Sequence, residues 1–153
     1  MTNLDELYRE IILDHYRSPR NRGELASPPA IRVEGFNPLC GDEITVFLDV
    51  RDGLIADIKL QGQGCSISQA SSSLMSAAVK GQTIESAREK IDTFKQMLTA
   101  HASTLATDAE AAEVDLRTLG ELAALRGVVK FPVRIKCAVL AWNTLLQGLD
   151  ELD

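Results

Sequence analysis

The chain is poor in the residues and patterns that announce a function most directly. Cysteine occurs three times and histidine twice in 153 residues, and no two cysteines form a C-x-x-C pair. The local spacing of a metal knuckle is therefore absent. Basic residues form no stripe; apart from Arg134 and Lys136 they are scattered through a chain of formal charge −6. Such a surface does not track a phosphate backbone, which excludes nucleic acid as a partner. No apolar run is long enough to span a bilayer, and "MTNLDELYRE" has neither the basic start nor the apolar block of a secretory signal. No membrane partner is expected, and the cytoplasm is the expected compartment. The G-K-[ST] element that would make "GQGCSIS" a phosphate loop is missing. Neither histidine carries a signature tying it to a nucleophile, which counts against a cysteine protease.

What is present is a globular composition, 45% hydrophobic and 25% charged, at a length that suits one domain over residues 1–153 with a real core. "TNLDELYREIILDHYRSPRN" places Leu4, Leu7, Tyr8, Ile11 and Ile12 at helical spacing, with Thr2 as N-cap and Ser18-Pro19 as the stop. That stripe is expected to be core, and His15, one turn further, a structural or helix-ending histidine. "AIRVEGFN", "EITVFLDV" and "LIADIKLQG" read as strands, the last two joined by a tight Arg51-Asp52-Gly53 turn. "CSISQASSSLMSAAVKG" starts a helix through a Ser66/Gln69 capping box and ends at Gly81. "TIESAREKIDTFKQML" carries Ile84, Ala87, Ile91, Phe94 and Leu98 on one face. Residues 99–118 are polar and undecided between loop and weak helix, with His101 a solvated bystander. "LGELAALRGV" reads as a short helix, and "VRIKCAVLAWNTLLQGLDEL" as the last one. The fold expected is α+β, a three-stranded antiparallel sheet packed against helices.

In a reducing compartment cysteines serve as packing residues, metal ligands or reactive thiols rather than disulfides. Cys40 precedes Gly41 in a turn between strands. Cys65 follows "GQG" at a helix start, where unpaired amides and partial positive charge favour thiolate over thiol. Ile135, Ala138, Val139, Trp142, Leu145, Leu146 and Leu149 share one face of the last helix, and at ~100° per residue Cys137 points away from it. None of the three then falls on an obvious core face. Asp42 supplies a fourth donor, since three thiolates and a carboxylate make a tetrahedral set that zinc accepts. Their surplus negative charge has Arg134, Lys136 and the helix N-terminus as available compensation. The long separations leave the plainer reading open: three unrelated cysteines. The serine run "SQASSS" lets a helix pack closely, and no base accompanies it as a nucleophile.

Four stretches in order, "LYREIILDHYRSPRN", "NPLCGD", "GQGCSISQASSSLM" and "FPVRIKCAVLAW", together resemble the U-type iron–sulfur cluster assembly family (the IscU, SufU and NifU N-terminal proteins) over nearly the whole chain. Lys136 stands where scaffold-type members carry a histidine, and the segment within about 83–127 is longer than theirs, an insertion; both features are similar to the SufU branch. The resemblance implies zinc bound by Cys40, Asp42, Cys65 and Cys137. It also implies a zinc-dependent sulfurtransferase that accepts persulfide sulfur from a pyridoxal-phosphate cysteine desulfurase of the SufS type and passes it to downstream iron–sulfur assembly proteins. In the mechanism it implies, a desulfurase histidine takes a place on the zinc and frees Cys40 as sulfur acceptor. Arg134 and Lys136 are candidates for electrostatic support, with a solvated role for Arg134 equally open. Two alternatives use the same residues: a scaffold assembling a transient [2Fe–2S] cluster, and a zinc module that only stabilises the fold.

Overall fold

The turn at Asp52-Gly53 organises the sheet. Both residues have positive φ, 54° and 76°, as a two-residue type I′ hairpin requires, and the pairing of Arg51 with Leu54 closes it. A computed structural model describes residues 2–27, 29–38, 41–103, 122, 124–125 and 132–152. Helix α1 (Thr2–Arg17) leads through an irregular connection to β1 (Ile31–Asn37), β2 (Asp42–Arg51) and β3 (Leu54–Gln63). Among the described residues three helices follow: α2 (Ser66–Val79), α3 (Ile84–Ser103) and α4 (Pro132–Glu151). The strands lie in the order β1-β2-β3 and pair antiparallel throughout, the α+β architecture expected.

Alternation along the strands sorts the faces. Val33 on β1, Ile44, Val46 and Leu48 on β2, and Ile58 and Leu60 on β3 are buried, whereas Arg32, Glu34 and Phe36 are exposed. Helix α4 lies against β1 and β2, and α2 against β3 and α4; α1 packs on α2 from outside. On α3, Ala87, Ile91, Phe94 and Leu98 are buried as their spacing requires, and Phe94 stacks on Trp142 of α4 with ring centroids 4.2 Å apart. Pro132 opens α4 at the first helical position, where a missing N–H costs nothing. Leu122, Ala124 and Leu125 are buried. The rest of "LGELAALRGV", residues 104–121 of the expected insertion, and the side chains of Thr2, Leu4 and His101 lie outside the described residues.

The α1 stripe is only partly core. Ile11 and Ile12 pack against the hydrophobic cluster and Tyr8 is half-buried, but Leu7 is 54% exposed. Among the described residues α1 packs chiefly on α2, and a helix with one main neighbour buries a narrower arc than its apolar spacing suggests. His15 is buried, with Nδ1 2.7 Å from Ser73 Oγ on α2. The same hydroxyl accepts the Arg20 N–H at 2.8 Å. The serine run, with Ser76 one turn beyond it, is therefore a polar seam: Ser76 accepts from Asn21 Nδ2 and Ser71 from Trp142 Nε1, at 2.9 and 3.0 Å.

Candidate metal centre

Three elements end at one place. Asp42 is the first residue of β2, opposite Asn37 at the end of β1; Cys65 directly follows β3 and Gly64; Cys137 lies in the second turn of α4. One donor atom from each of Asp42, Cys65 and Cys137 falls within 4.8 Å of the other two. Residues separated by 23 and 72 positions along the chain thus converge on a point that their spacing gave no hint of.

Cys65 itself caps α2. Its extended backbone (φ −72°, ψ 171°) places Sγ 3.4 Å from the Ser68 N–H that it accepts. This corrects the expected Ser66/Gln69 capping box: the cap stands one residue earlier, and the sulfur does the work a serine hydroxyl was expected to do.

Cys137 also differs from its helical-phase expectation. It is 1% exposed, and Asn37 Nδ2 reaches its sulfur at 4.0 Å. The phase reasoning counted a single apolar stripe, but α4 is covered by β1, β2, α2 and α3, so its buried arc is wider than that stripe. Of the expected stripe, Ala138, Trp142, Leu145 and Leu149 are buried while Ile135, Val139 and Leu146 are half-buried. Cys65 is half-buried. Arg134 and Lys136 are exposed on α4, within one turn of Cys137. Cys40 lies outside the described residues.

Asp42 is the most informative member. It is fully buried; Oδ1 accepts the Cys65 backbone N–H at 3.0 Å, while Oδ2 has no hydrogen-bond partner among the described residues. An uncompensated carboxylate oxygen away from water is costly, and a cation is the ordinary remedy. Gly64 makes the placement possible. A Cβ there would collide with Asp42 Oδ1 and stand 3.0 Å from Cγ, so only glycine lets the chain pass over the carboxylate. Two sulfurs and a carboxylate suit zinc, whose tetrahedral ligands stand about 3.5–3.8 Å apart at the usual bond lengths. The residues therefore fit a thiophilic metal; thiolates serve zinc and iron–sulfur clusters alike. Sequence reasoning missed the roles of Asn37 and Gly64, for which only the "NPLCGD" and "GQGC" contexts were available as signals.

Known proteins resemble the chain along most of its length. Residues 7–138 match the family model described as the NifU-like N terminal domain. The chain is 42% identical to the zinc-dependent sulfurtransferase SufU of Bacillus subtilis (strain 168), over 96% of this chain and 92% of that protein. It is 36% identical to the iron–sulfur cluster assembly scaffold protein IscU of Streptococcus pyogenes serotype M1, over 97% of this chain and 86% of that one. A crystal structure from Fervidobacterium islandicum AW-1, described as an iron–sulfur cluster assembly scaffold protein for the SUF system, superposes with a TM-score of 0.80. That pair is 31% identical, with 92% of this chain and 94% of the other covered.

Proposed function

Because the chain belongs to the NifU-like N-terminal domain family, the U-type proteins of iron–sulfur cluster assembly, we propose that it is a zinc-dependent sulfur acceptor. It takes persulfide sulfur from a pyridoxal-phosphate cysteine desulfurase of the SufS type and passes it to downstream assembly proteins in the cytoplasm. The observation that carries this reading is the buried Asp42 oxygen, without a hydrogen-bond partner among the described residues, grouped with two cysteine sulfurs. The similarity to a relative named as a zinc-dependent sulfurtransferase supports the choice of metal and activity.

In this reading Asp42, Cys65 and Cys137 hold zinc together with Cys40, which precedes Gly41 and Asp42 in sequence. Bound there, zinc would keep the thiolates deprotonated and shield them from stray oxidation. Cys40 is the acceptor because it lies in the connection between β1 and β2, whereas Cys65 caps α2 and Cys137 is buried within α4. The Cys40 thiolate attacks the outer sulfur of a donor persulfide R–S–SH; a new S–S bond forms on Cys40 as the old one breaks, and R–S⁻ leaves. Sulfur moves as a neutral atom with its proton, so no external oxidant is needed. Arg134 and Lys136 lend positive charge to an anionic site. The chain acts as one domain, with the branch-specific insertion within about 83–127.

The test is the turnover of a cognate cysteine desulfurase on cysteine, with the zinc-loaded and the metal-free chain compared at equal concentration. Stimulation by the zinc form alone is expected, and Cys40→Ser should abolish it. Equal rates with and without the chain would overturn the reading. The second reading, a scaffold for a [2Fe–2S] cluster, is favoured by the similarity to IscU of Streptococcus pyogenes. Anaerobic reconstitution yielding a stable cluster, with no desulfurase stimulation, would establish it instead.

A further inference from the structure

The sheet has two outer strands, and they are finished differently. Along β3 lies the segment Asn21–Gly23: Leu60 donates its N–H to the Asn21 carbonyl at 2.8 Å and accepts the Gly23 N–H at 3.0 Å. β1 packs on β2 and α4, and among the described residues no strand pairs with its outer side. Leu60 also fixes which backbone groups face out there. Its N–H and C=O point away from β2, so by alternation those of Lys59 and Gln61 point into β2, at Phe47 and Thr45. Those of Ile44, Val46 and Leu48 then point to β1, at Gly35, Val33 and Ile31. The N–H and C=O groups of Arg32, Glu34 and Phe36 are left facing outward.

Proteins commonly blunt such an edge with proline, lysine or a bulge, because unpaired backbone groups recruit another strand. "IRVEGFN" has neither proline nor lysine, and its register with β2 runs unbroken from Ile31 to Asn37. Its exposed side chains instead carry opposite charges two residues apart, Arg32 and Glu34, joined to each other at 2.6 Å. Phe36 beside them is 58% exposed, the most open large hydrophobic side chain among the described residues.

We propose that β1 pairs with β1 of a second copy of this chain, antiparallel about Val33, joining two three-stranded sheets into one. The order of charges commits the edge to its own copy. Antiparallel strands hydrogen-bond only in registers that set outward backbone groups against outward ones. Centred on Val33, Arg32 of each copy faces Glu34 of the other, and each of these two pairs exchanges both of its backbone hydrogen bonds. The charges then alternate in sign around the axis, every one with an opposite neighbour along its own strand and across the joint. Moving the centre to Arg32 or to Glu34 sets like charge against like. One register is thereby selected, and its two-fold symmetry closes the assembly at two copies. Phe36 is brought over the chain that enters β1 of the second copy, at Ala30. The Asn37 ends, and the metal centres beside them, fall at opposite ends of the joint, so the inference is independent of the sulfur-acceptor reading.

The experiment is sedimentation of the zinc-loaded full chain from about 1 μM to about 1 mM, for a short joint of this kind holds with a Kd of about 10–100 μM. Glu34→Arg and Arg32→Glu should each weaken association by about tenfold or more, since each places like charges across the joint. The double swap of Arg32→Glu with Glu34→Arg restores the alternation and should return Kd to within about threefold of the wild type. Hydrogen exchange localises the joint: the Arg32 and Glu34 amides should slow as concentration rises in the wild type and the swap, and not in the single variants. Melting temperatures of the dilute chains should be unchanged, because both side chains are exposed. A wild type that sediments as a monomer throughout overturns the proposal. Association that the single variants leave intact overturns it as well, since the joint would lie on another surface. A loss that the swap fails to restore overturns the register and the proposal with it. None of these outcomes bears on desulfurase stimulation, which is measured separately.

Discussion

The two faces of α2 handle buried polarity in opposite ways. Where α2 meets α1 and α4, hydroxyls are matched within the chain: Ser73 with His15 and the Arg20 amide, Ser76 with Asn21, Ser71 with Trp142. At its N-terminus, Asp42 satisfies one oxygen on the Cys65 amide, and the other has no partner among the described residues beside two sulfurs. Satisfied buried groups lock a packing; an unsatisfied carboxylate next to thiols is a place kept for a cation. The contrast separates structural polar residues from functional ones without appeal to conservation, and it assigns His15 to the first class.

Substituting each region in turn tests that contrast. The largest effect is expected from metal removal. If zinc is held by the Asp42 end, stripping it should cost about 4 kcal/mol when zinc had been present at a thousand times its Kd, or roughly 8–16 °C in melting temperature for a chain of this size. Calorimetry with and without chelator checks it, and equal melting temperatures after verified metal loss would break the comparison. Next, Asp42→Asn should lower zinc affinity by more than about a hundredfold in a chelator competition, because it replaces the unpartnered oxygen with a neutral group. The variant should also lose the difference in melting temperature between loaded and stripped forms.

At the satisfied seam the pattern reverses. Ser73→Ala should destabilise the fold by about 1–3 kcal/mol in urea, since it strands the His15 ring nitrogen and the Arg20 amide, and should do so equally with and without zinc. Gly64→Ala sharpens the boundary: its new methyl displaces the Asp42 carboxylate, and zinc affinity should fall by roughly tenfold, read by the same competition. The smallest effect belongs to Asp14, whose carboxyl is held below its ordinary value of 3.8 by the hydrogen bond to Arg20 and then by its charge. A lowered folded-state pKa contributes stability above the unfolded value and loses it as pH falls through the folded one. Asp14→Asn should therefore flatten the acid limb of the stability curve slightly below about pH 4, and leave zinc binding untouched.

Local pattern carries the elements, and residue identity carries the donor types. Alternation marked three strands, Asp52-Gly53 announced its hairpin because both positions need positive φ, and Ala87, Ile91, Phe94 and Leu98 marked the buried face of α3. Residue identity alone offered Cys40, Asp42, Cys65 and Cys137 as donors suited to a thiophilic metal, with three unrelated cysteines as the plainer alternative. Which groups those donors meet depends on the assembled fold. Local pattern could not say that Leu7 would stay open, that Cys137 would be covered from several sides, or that a cysteine would cap α2 in place of Ser66. Nor could it say that Asn37 would lie against a sulfur 100 positions away, or that Gly64 would clear room for a carboxylate. Periodicity encodes how a segment faces its nearest neighbour; burial and satisfaction depend on every layer that packs around it, and those layers come from distant parts of the chain.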